Sequence, residues 1–222
     1  MATRRQQPLK AVKARTSEFS RLWRNREDRA RERDLKKDAV LRTAARLFVE
    51  RGFHRTTLSD VADQLGVTKP VVYHYFDNKN ALLLGCYERG AAMILGALDE
   101  IEREHATGHA RVAAFIRSFV EIVVVDVGAC LALIDDRDLS EHDRVEIRST
   151  KKSIEQRLRG YLKQGMSEGS VRRCDVPMTA MAIISALNGI GVWYKEGGRL
   201  TVEQIADQMA DFFGQSIAKT RA

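Results

Sequence analysis

Proline is scarce in this chain, three residues in 222, and aromatic residues make up only 7%. With 15 glycines and no repeat, the composition is neither collagen-like nor low-complexity, and the shortage of aromatics counts against β-rich repeat folds. Cysteine is nearly missing too: Cys86, Cys130 and Cys174 are odd in number, far apart, and form no C-x-x-C pair. That excludes a disulfide scaffold and a structural metal site, and it implies reduced thiols in a cytoplasmic setting. No apolar segment follows Arg4 and Arg5, so no secretory signal is expected. The longest uncharged run, residues 176–194, is punctuated by Pro177, Thr179, Ser185, Asn188, Gly189 and Gly191. A buried helix at a packing interface accounts for it better than a membrane span.

Catalytic sets are lacking as well. His54, His74, His105, His109 and His142 have no matching acid or cysteine at motif spacing, and no glycine-rich phosphate loop is present. The expectation is a protein that is not an enzyme and needs no metal or cofactor.

What the chain does have is an uneven charge. Residues 1–80 carry 19 basic and 10 acidic side chains, whereas residues 81–222 carry 18 and 20. A basic front on a near-neutral body suggests a polyanionic partner for the front alone, either nucleic acid or an anionic membrane surface. A basic tail that is merely solvated would look the same.

The apolar spacing is helical throughout, and the predicted class is all-α. Residues 1–16 lack periodicity and are expected to be disordered. Between Ser17 and Asp34 the chain is highly charged, with Phe19, Leu22 and Trp23 able to dock one turn. Val40, Leu41, Ala44, Ala45, Leu47 and Phe48 mark a helix over 36–51 that Gly52 stops. Thr57 and Asp60 form a capping-box start for a two-turn helix that ends at Gly66. Thr68 is placed to cap a third helix, with Pro70 in its first turn, running to about Phe76. Asn78 caps a fourth that continues to Gly90 or beyond. Longer helices are predicted over about 112–134, 141–168, 177–194 and 202–217.

Helix, short helix, glycine turn and second short helix is the helix-turn-helix order, in which the last helix enters the DNA major groove. With Val67, Val72 and Phe76 turned inward, Lys69, Pro70, Tyr73 and His74 face outward, flanked by Val71 and Tyr75. Lys69 and Lys79 each begin a helix, where the dipole disfavours a cation and a bound phosphate would offset the cost. Two solvated surface lysines are the simpler alternative.

Residues 55–83, RTTLSDVADQLGVTKPVVYHYFDNKNALL, resemble the DNA-binding domain of the TetR family of bacterial regulators, and the likeness extends over 36–84. It implies phosphate contacts at Thr57, Thr68, Tyr73 and Lys79, major-groove contacts at Lys69, Pro70, Val71 and His74, and a backbone contact within reach of Tyr75. Pro70 and Val71 stand where many members carry small or polar residues, and a valine there suits a thymine methyl.

The resemblance further implies a helical C-terminal domain that dimerises and encloses a small-molecule effector. The division expected is a basic arm over 1–34, the DNA-binding domain over 35–82 and the effector and dimerisation domain over 83–222. Met178, Ala182, Ser185, Ala186, Gly189, Ile205, Met209, Phe212 and Phe213 are candidates for a four-helix dimer seam, an intramolecular core being the alternative for each. The stripe Phe115, Phe119, Ile122, Asp126, Cys130 and Leu133 sets one carboxylate on an apolar face. Its residues, with Tyr161, Asn188 and Trp193, are candidates to line the pocket. The WYKEGG segment resembles regulators of lipid and steroid catabolism and leans the effector towards a hydrophobic or acyl-CoA-type molecule. The implied function is a repressor that binds a palindromic operator on double-stranded DNA as a homodimer and is released by its effector. The alternative is a sequence-tolerant architectural nucleic-acid-binding protein without an effector.

Overall fold

The computed structural model describes residues 8–133 and 139–219, and for 8–27, Asp126, Ala132 and Leu133 the backbone alone. The described residues form helices in the order α1 (Pro8–Arg51), α2 (Leu58–Leu65), α3 (Lys69–Tyr73), α4 (Lys79–Glu104), α5 (Gly108–Val123), α6 (Asp126–Leu133), α7 (Glu141–Glu168), α8 (Val176–Trp193) and α9 (Val202–Ile217). The chain divides into two compact units, Met1–Val40 and Leu41–Ala222, and α1 contributes to both.

The first unit corrects an expectation. Residues 8–16, predicted to be disordered, belong to a helix that runs unbroken to Arg51. The physical reason is the missing punctuation: Pro8 sits at the start, where its absent N–H costs nothing, and no glycine or proline follows until Gly52. Lys36 reaches back to Glu32 at 2.7 Å, one i,i+4 pair of the kind that supports a solvated helix. The side chains of Phe19, Leu22 and Trp23 lie outside the described residues.

In the second unit, Leu41, Ala44, Ala45, Leu47 and Phe48 bury the apolar stripe of α1, and Gly52 stops the helix at a φ of 85°. α2 has the predicted capping box: the Thr57 hydroxyl accepts from the Asp60 amide at 3.2 Å, and the Asp60 carboxylate accepts from the Thr57 amide at 2.7 Å. Gly66, left-handed at φ 65°, ends it. α3 is shorter than predicted, since regular helix stops at Tyr73 and the backbone reaches Phe76 through a turn in which Tyr75 and Phe76 both donate to the Val72 carbonyl. Asn78 then caps α4 by accepting from the Ala81 amide at 2.8 Å.

The remaining helices build the body. α5 is its central element and packs against α4, α6, α7, α8 and α9. Phe115 and Ile116 of α5 join Leu98, Ile147, Leu158, Leu162, Ile183 and Leu187 in a fully buried core. Each such side chain contributes roughly 1.5–3 kcal/mol relative to exposure. The single helix predicted over 112–134 is two helices. α5 starts earlier, at a Thr107 cap, and the chain breaks at Val124–Val125 before α6. The break lets Gly128 press against the Ile122 carbonyl so closely that a Cβ there would lie 1.7 Å from the oxygen. Only glycine permits that approach. α7 and α9 run as predicted, with Gly169 left-handed after α7 and a capping box from Thr201 and Gln204 before α9.

Candidate functional site

Three short elements build the first site. α2 is held by its capping box, and the Gly66 turn directs the chain into α3, where Val72 is fully buried and Phe76 nearly so. These two anchors fix the rotation of α3. Lys69, Pro70, Val71, Tyr73 and His74 are then exposed, Tyr73 at 50%, and Tyr75 is half-buried with its ring against His74. Val67, predicted to face inward, is on the surface instead, because it belongs to the Gly66 turn and its amide is spent on the Ala62 carbonyl. Thr68 occupies the N-cap position, yet its side chain makes no cap hydrogen bond. Its exposed hydroxyl keeps its hydrogen-bonding capacity for an outside acceptor.

The two expected phosphate contacts at the ends of this motif have work inside the chain. The Thr57 hydroxyl donates to the Asp60 carboxylate at 2.7 Å, and together with the Thr57 amide it holds the Asp60 pKa below the usual range. Lys79 donates to the carbonyls of Phe53 (3.0 Å) and His54 (3.2 Å), with its ammonium 4.4 Å above the centre of the Phe53 ring. An ammonium has three donors, so one remains. Sequence reasoning missed this clasp because Phe53 and Lys79 belong to different elements.

Immediately beyond, α4 passes beneath the motif. A Cβ on Gly85 would lie 2.8 Å from the Phe76 ring and 3.0 Å from Leu41, and the Cys86 thiol lies 3.4 Å from the Leu41 carbonyl. Contact with Cys130 and burial push the Cys86 thiol pKa well up. The next residue, Tyr87, donates to the Ile147 carbonyl of α7 at 3.3 Å, and burial raises its pKa to about 12.

Tyr87 also opens the second site, a cavity of about 330 Å³ between α4, α5, α6, α7 and α8. Tyr87, Ile94, Phe119, Leu131, Ile154 and Ile184 give it an apolar wall, while Lys151, Glu155, Ser185 and Asn188 supply polar groups and Met181 lies at its edge. Of the expected pocket residues, Phe119 and Asn188 line it. Phe115, Ile122 and Cys130 are core residues elsewhere, Tyr161 is tied to Glu102 at 2.9 Å, and Trp193 is exposed at the end of α8. The side chains of Asp126 and Leu133 lie outside the described residues. The stripe that joined these residues assumed one straight helix, and the break after Val123 disperses it. Sequence reasoning missed Tyr87, Ile94, Leu131, Lys151, Ile154, Glu155, Met181 and Ile184, which four different helices contribute; the one local signal is the i,i+4 spacing of Lys151 and Glu155.

The candidate seam divides likewise. Met178, Ala182, Ser185 and Phe212 are exposed, and Ala186, Gly189, Met209 and Phe213 are half-buried. Ile205 is buried inside its own chain, on the face that α9 turns towards α5. The uncharged run, expected to be a buried helix at a packing interface, is covered within the chain along one stripe of α8: Val176, Ala180, Ile183, Leu187 and Ile190.

Comparison with known proteins follows the same division. Residues 40–86 match the domain described as bacterial regulatory proteins, tetR family, and residues 105–217 match the tetracyclin repressor-like C-terminal domain. The transcriptional repressor KstR2 of Rhodococcus jostii is 28% identical over 173 residues, 76% of this chain and 84% of that protein. The solved ketosteroid regulator KstR2 of Mycobacterium tuberculosis shares the fold, with a TM-score of 0.74 at 24% identity over 83% of this chain and 95% of that one. AibR, solved with isovaleryl coenzyme A and operator DNA, aligns at a TM-score of 0.69 and 28% identity over 80% of this chain and 97% of its own.

Proposed function

Because the chain belongs to the TetR family of bacterial regulators, we propose that it is a ligand-responsive transcriptional repressor that binds a palindromic operator as a homodimer and leaves it when a small hydrophobic or acyl-CoA-type effector binds. The observation that carries this reading is the course of α4. That helix begins at Lys79, clasped to the Phe53 and His54 carbonyls, supports Phe76 at Gly85, and lines the cavity with Tyr87 and Ile94. A single residue, Cys86, therefore separates the support of the reading helix from the effector wall.

Lys69, Pro70, Val71 and His74 read base edges, and Thr68, Tyr73, Tyr75 and the free donor of Lys79 meet the backbone, whereas Thr57 has given both its hydroxyl proton and its amide to Asp60 and serves the motif as a cap. The cavity wall suits an acyl chain or ring, and Lys151 with Asn188 suits an acceptor-rich or anionic end. AibR, crystallised with an acyl-CoA, supports that class of effector. The arm over 1–34, the reading domain over 35–82 and the effector and dimerisation domain over 83–222 act as one cytoplasmic regulator with no catalytic step.

Footprinting on genomic fragments tests the reading. A discrete inverted repeat, with half-sites one or more turns of roughly 34–36 Å apart, supports it. Uniform protection without sequence preference favours the architectural alternative. Linkage adds a second requirement: operator DNA must weaken effector binding by the same factor, typically about 5–150-fold, by which effector weakens DNA binding.

A further inference from the structure

We infer that the cavity gauges acyl length: it takes an acyl group of at most about 13 heavy atoms, with the carboxyl end at a mouth between α7 and α8 and the chain end against α4, α5 and α6. This rests on the effector reading proposed above and deepens it by fixing the size and the orientation of what binds.

Burial of the lining gives the cavity a closed end and a mouth. Tyr87, Ile94, Phe119 and Leu131, from α4, α5 and α6, are each no more than 8% exposed. Lys151 of α7 and Met181 and Ser185 of α8 line the same space and are exposed. A ligand therefore enters between α7 and α8 and ends on the wall that α4, α5 and α6 build.

Polarity follows the same axis. At the closed end the Tyr87 hydroxyl is already spent on the Ile147 carbonyl at 3.3 Å, so that wall presents apolar surface alone. At the mouth, among the described residues, the Lys151 ammonium, the Ser185 hydroxyl and the Asn188 amide have no hydrogen-bond or ion-pair partner. Glu155 stands one turn from Lys151, but its carboxylate pairs with Arg159 at 2.6 Å instead. The mouth thus keeps one uncompensated positive charge beside two further donors, a set that fits a carboxylate or a thioester carbonyl. The reverse orientation would bury that polar end against carbon with no partner, at a large desolvation cost.

Volume sets the limit. A dry apolar cavity of about 150 Å³ holds benzene, or roughly 25 Å³ per heavy atom, and about 330 Å³ then holds about 13. A free acid reaches that limit at about 10–11 carbons. Coenzyme A is several times larger, so of a thioester only the acyl part enters and the nucleotide stays outside the mouth. Free acid and thioester are thus two sources of one chemistry.

The test is calorimetric titration of the full chain, without DNA, by straight-chain carboxylates from butyrate to palmitate, by the matching coenzyme A thioesters and by coenzyme A alone. Affinity should rise roughly three- to fourfold per methylene, the transfer value of a buried CH₂, and fall at least about tenfold beyond about 11 carbons. Binding of the free acids makes the acid the source, and binding of thioesters alone makes it the thioester; either supports the inference. Ile94→Phe adds about three carbon atoms at the closed end and should shorten the optimum by about three carbons. Should that variant misfold by circular dichroism, Leu131→Phe on the same wall is read in its place. Lys151→Met, at the mouth, should weaken every length about tenfold and leave the optimum where it was. The length gauge is overturned if palmitate binds as tightly as decanoate, if the closed-end variant does not move the optimum, if coenzyme A alone matches its thioesters, or if nothing binds at millimolar ligand. Unchanged affinity in Lys151→Met overturns the orientation. A chain that footprints a discrete operator but binds no acyl ligand keeps the repressor reading and loses this one, and a length optimum without an operator does the reverse.

Discussion

Replacing Lys79 by methionine separates two tasks that one ammonium performs. The side chain keeps its apolar stem over the Phe53 ring but loses both hydrogen bonds to the Phe53 and His54 carbonyls and the charge above the ring. A buried hydrogen bond to a charged group is worth ~1.5–3 kcal/mol, but Lys79 is only half-buried and water can reach the freed carbonyls, so the two bonds and the ring contact together amount to about 1–2 kcal/mol. For a chain of this size that lowers the Tm by about 2–8 °C. The third donor is the one proposed for DNA phosphate. Each phosphate contact contributes ~0.9 to the slope of log affinity against log salt, so a dimer that loses two should show a slope shallower by about 1.8. The ratio of parent to variant affinity should then shrink roughly tenfold between 50 and 200 mM salt. Fluorescence anisotropy with operator DNA across that range, beside thermal melts, measures both. An unchanged salt slope refutes the phosphate contact, and an unchanged Tm refutes the clasp. Lys79→Arg, which keeps charge and donors, should recover most of the slope.

Further consequences can be checked on the same preparation. Gly85→Val pushes branched carbon into the Phe76 ring, already 2.8 Å from a Cβ at that position, and should cost about 1–3 kcal/mol together with operator affinity; a variant with unchanged DNA binding would show that Phe76 does not set the angle of α3. Deleting residues 1–16, which precede the matched family domain, should weaken binding to all DNA sequences about equally, because their basic charge attracts phosphate whatever the base sequence; a changed operator preference would instead indicate a groove-reading arm. The Tyr87 phenol has its pKa raised from 10 to about 12 by burial, so its contribution is fully present below pH 10 and is lost as pH rises towards 12. Thermal melts should therefore fall across that window, and less steeply in Tyr87→Phe; identical alkaline profiles would count against the buried phenol.

Much of this protein was decided locally, and there the sequence by itself was sufficient. The capping box of Thr57 and Asp60, the Gly66 turn and the burial of Val72 and Phe76 involve residues within a few positions of one another, so spacing specifies them and with them the face that Lys69, Tyr73 and His74 present. The bounds of α7 and α9 are set by caps and glycines in the same way. Tertiary structure decided what depends on approach between distant segments. The break between α5 and α6 brings Gly128 onto the Ile122 carbonyl, a contact that helical periodicity cannot register. The cavity draws its wall from α4 to α8, so no single stripe could reveal Tyr87 beside Asn188. Lys79 reads in sequence as an exposed cation at a helix start, and only folding brings the Phe53 and His54 carbonyls within 3.2 Å of it. Backbone hydrogen bonding and side-chain periodicity act over one or two turns and are legible along the chain, whereas a pocket and a clasp are set by which helix faces meet, and that is fixed only when the whole core packs.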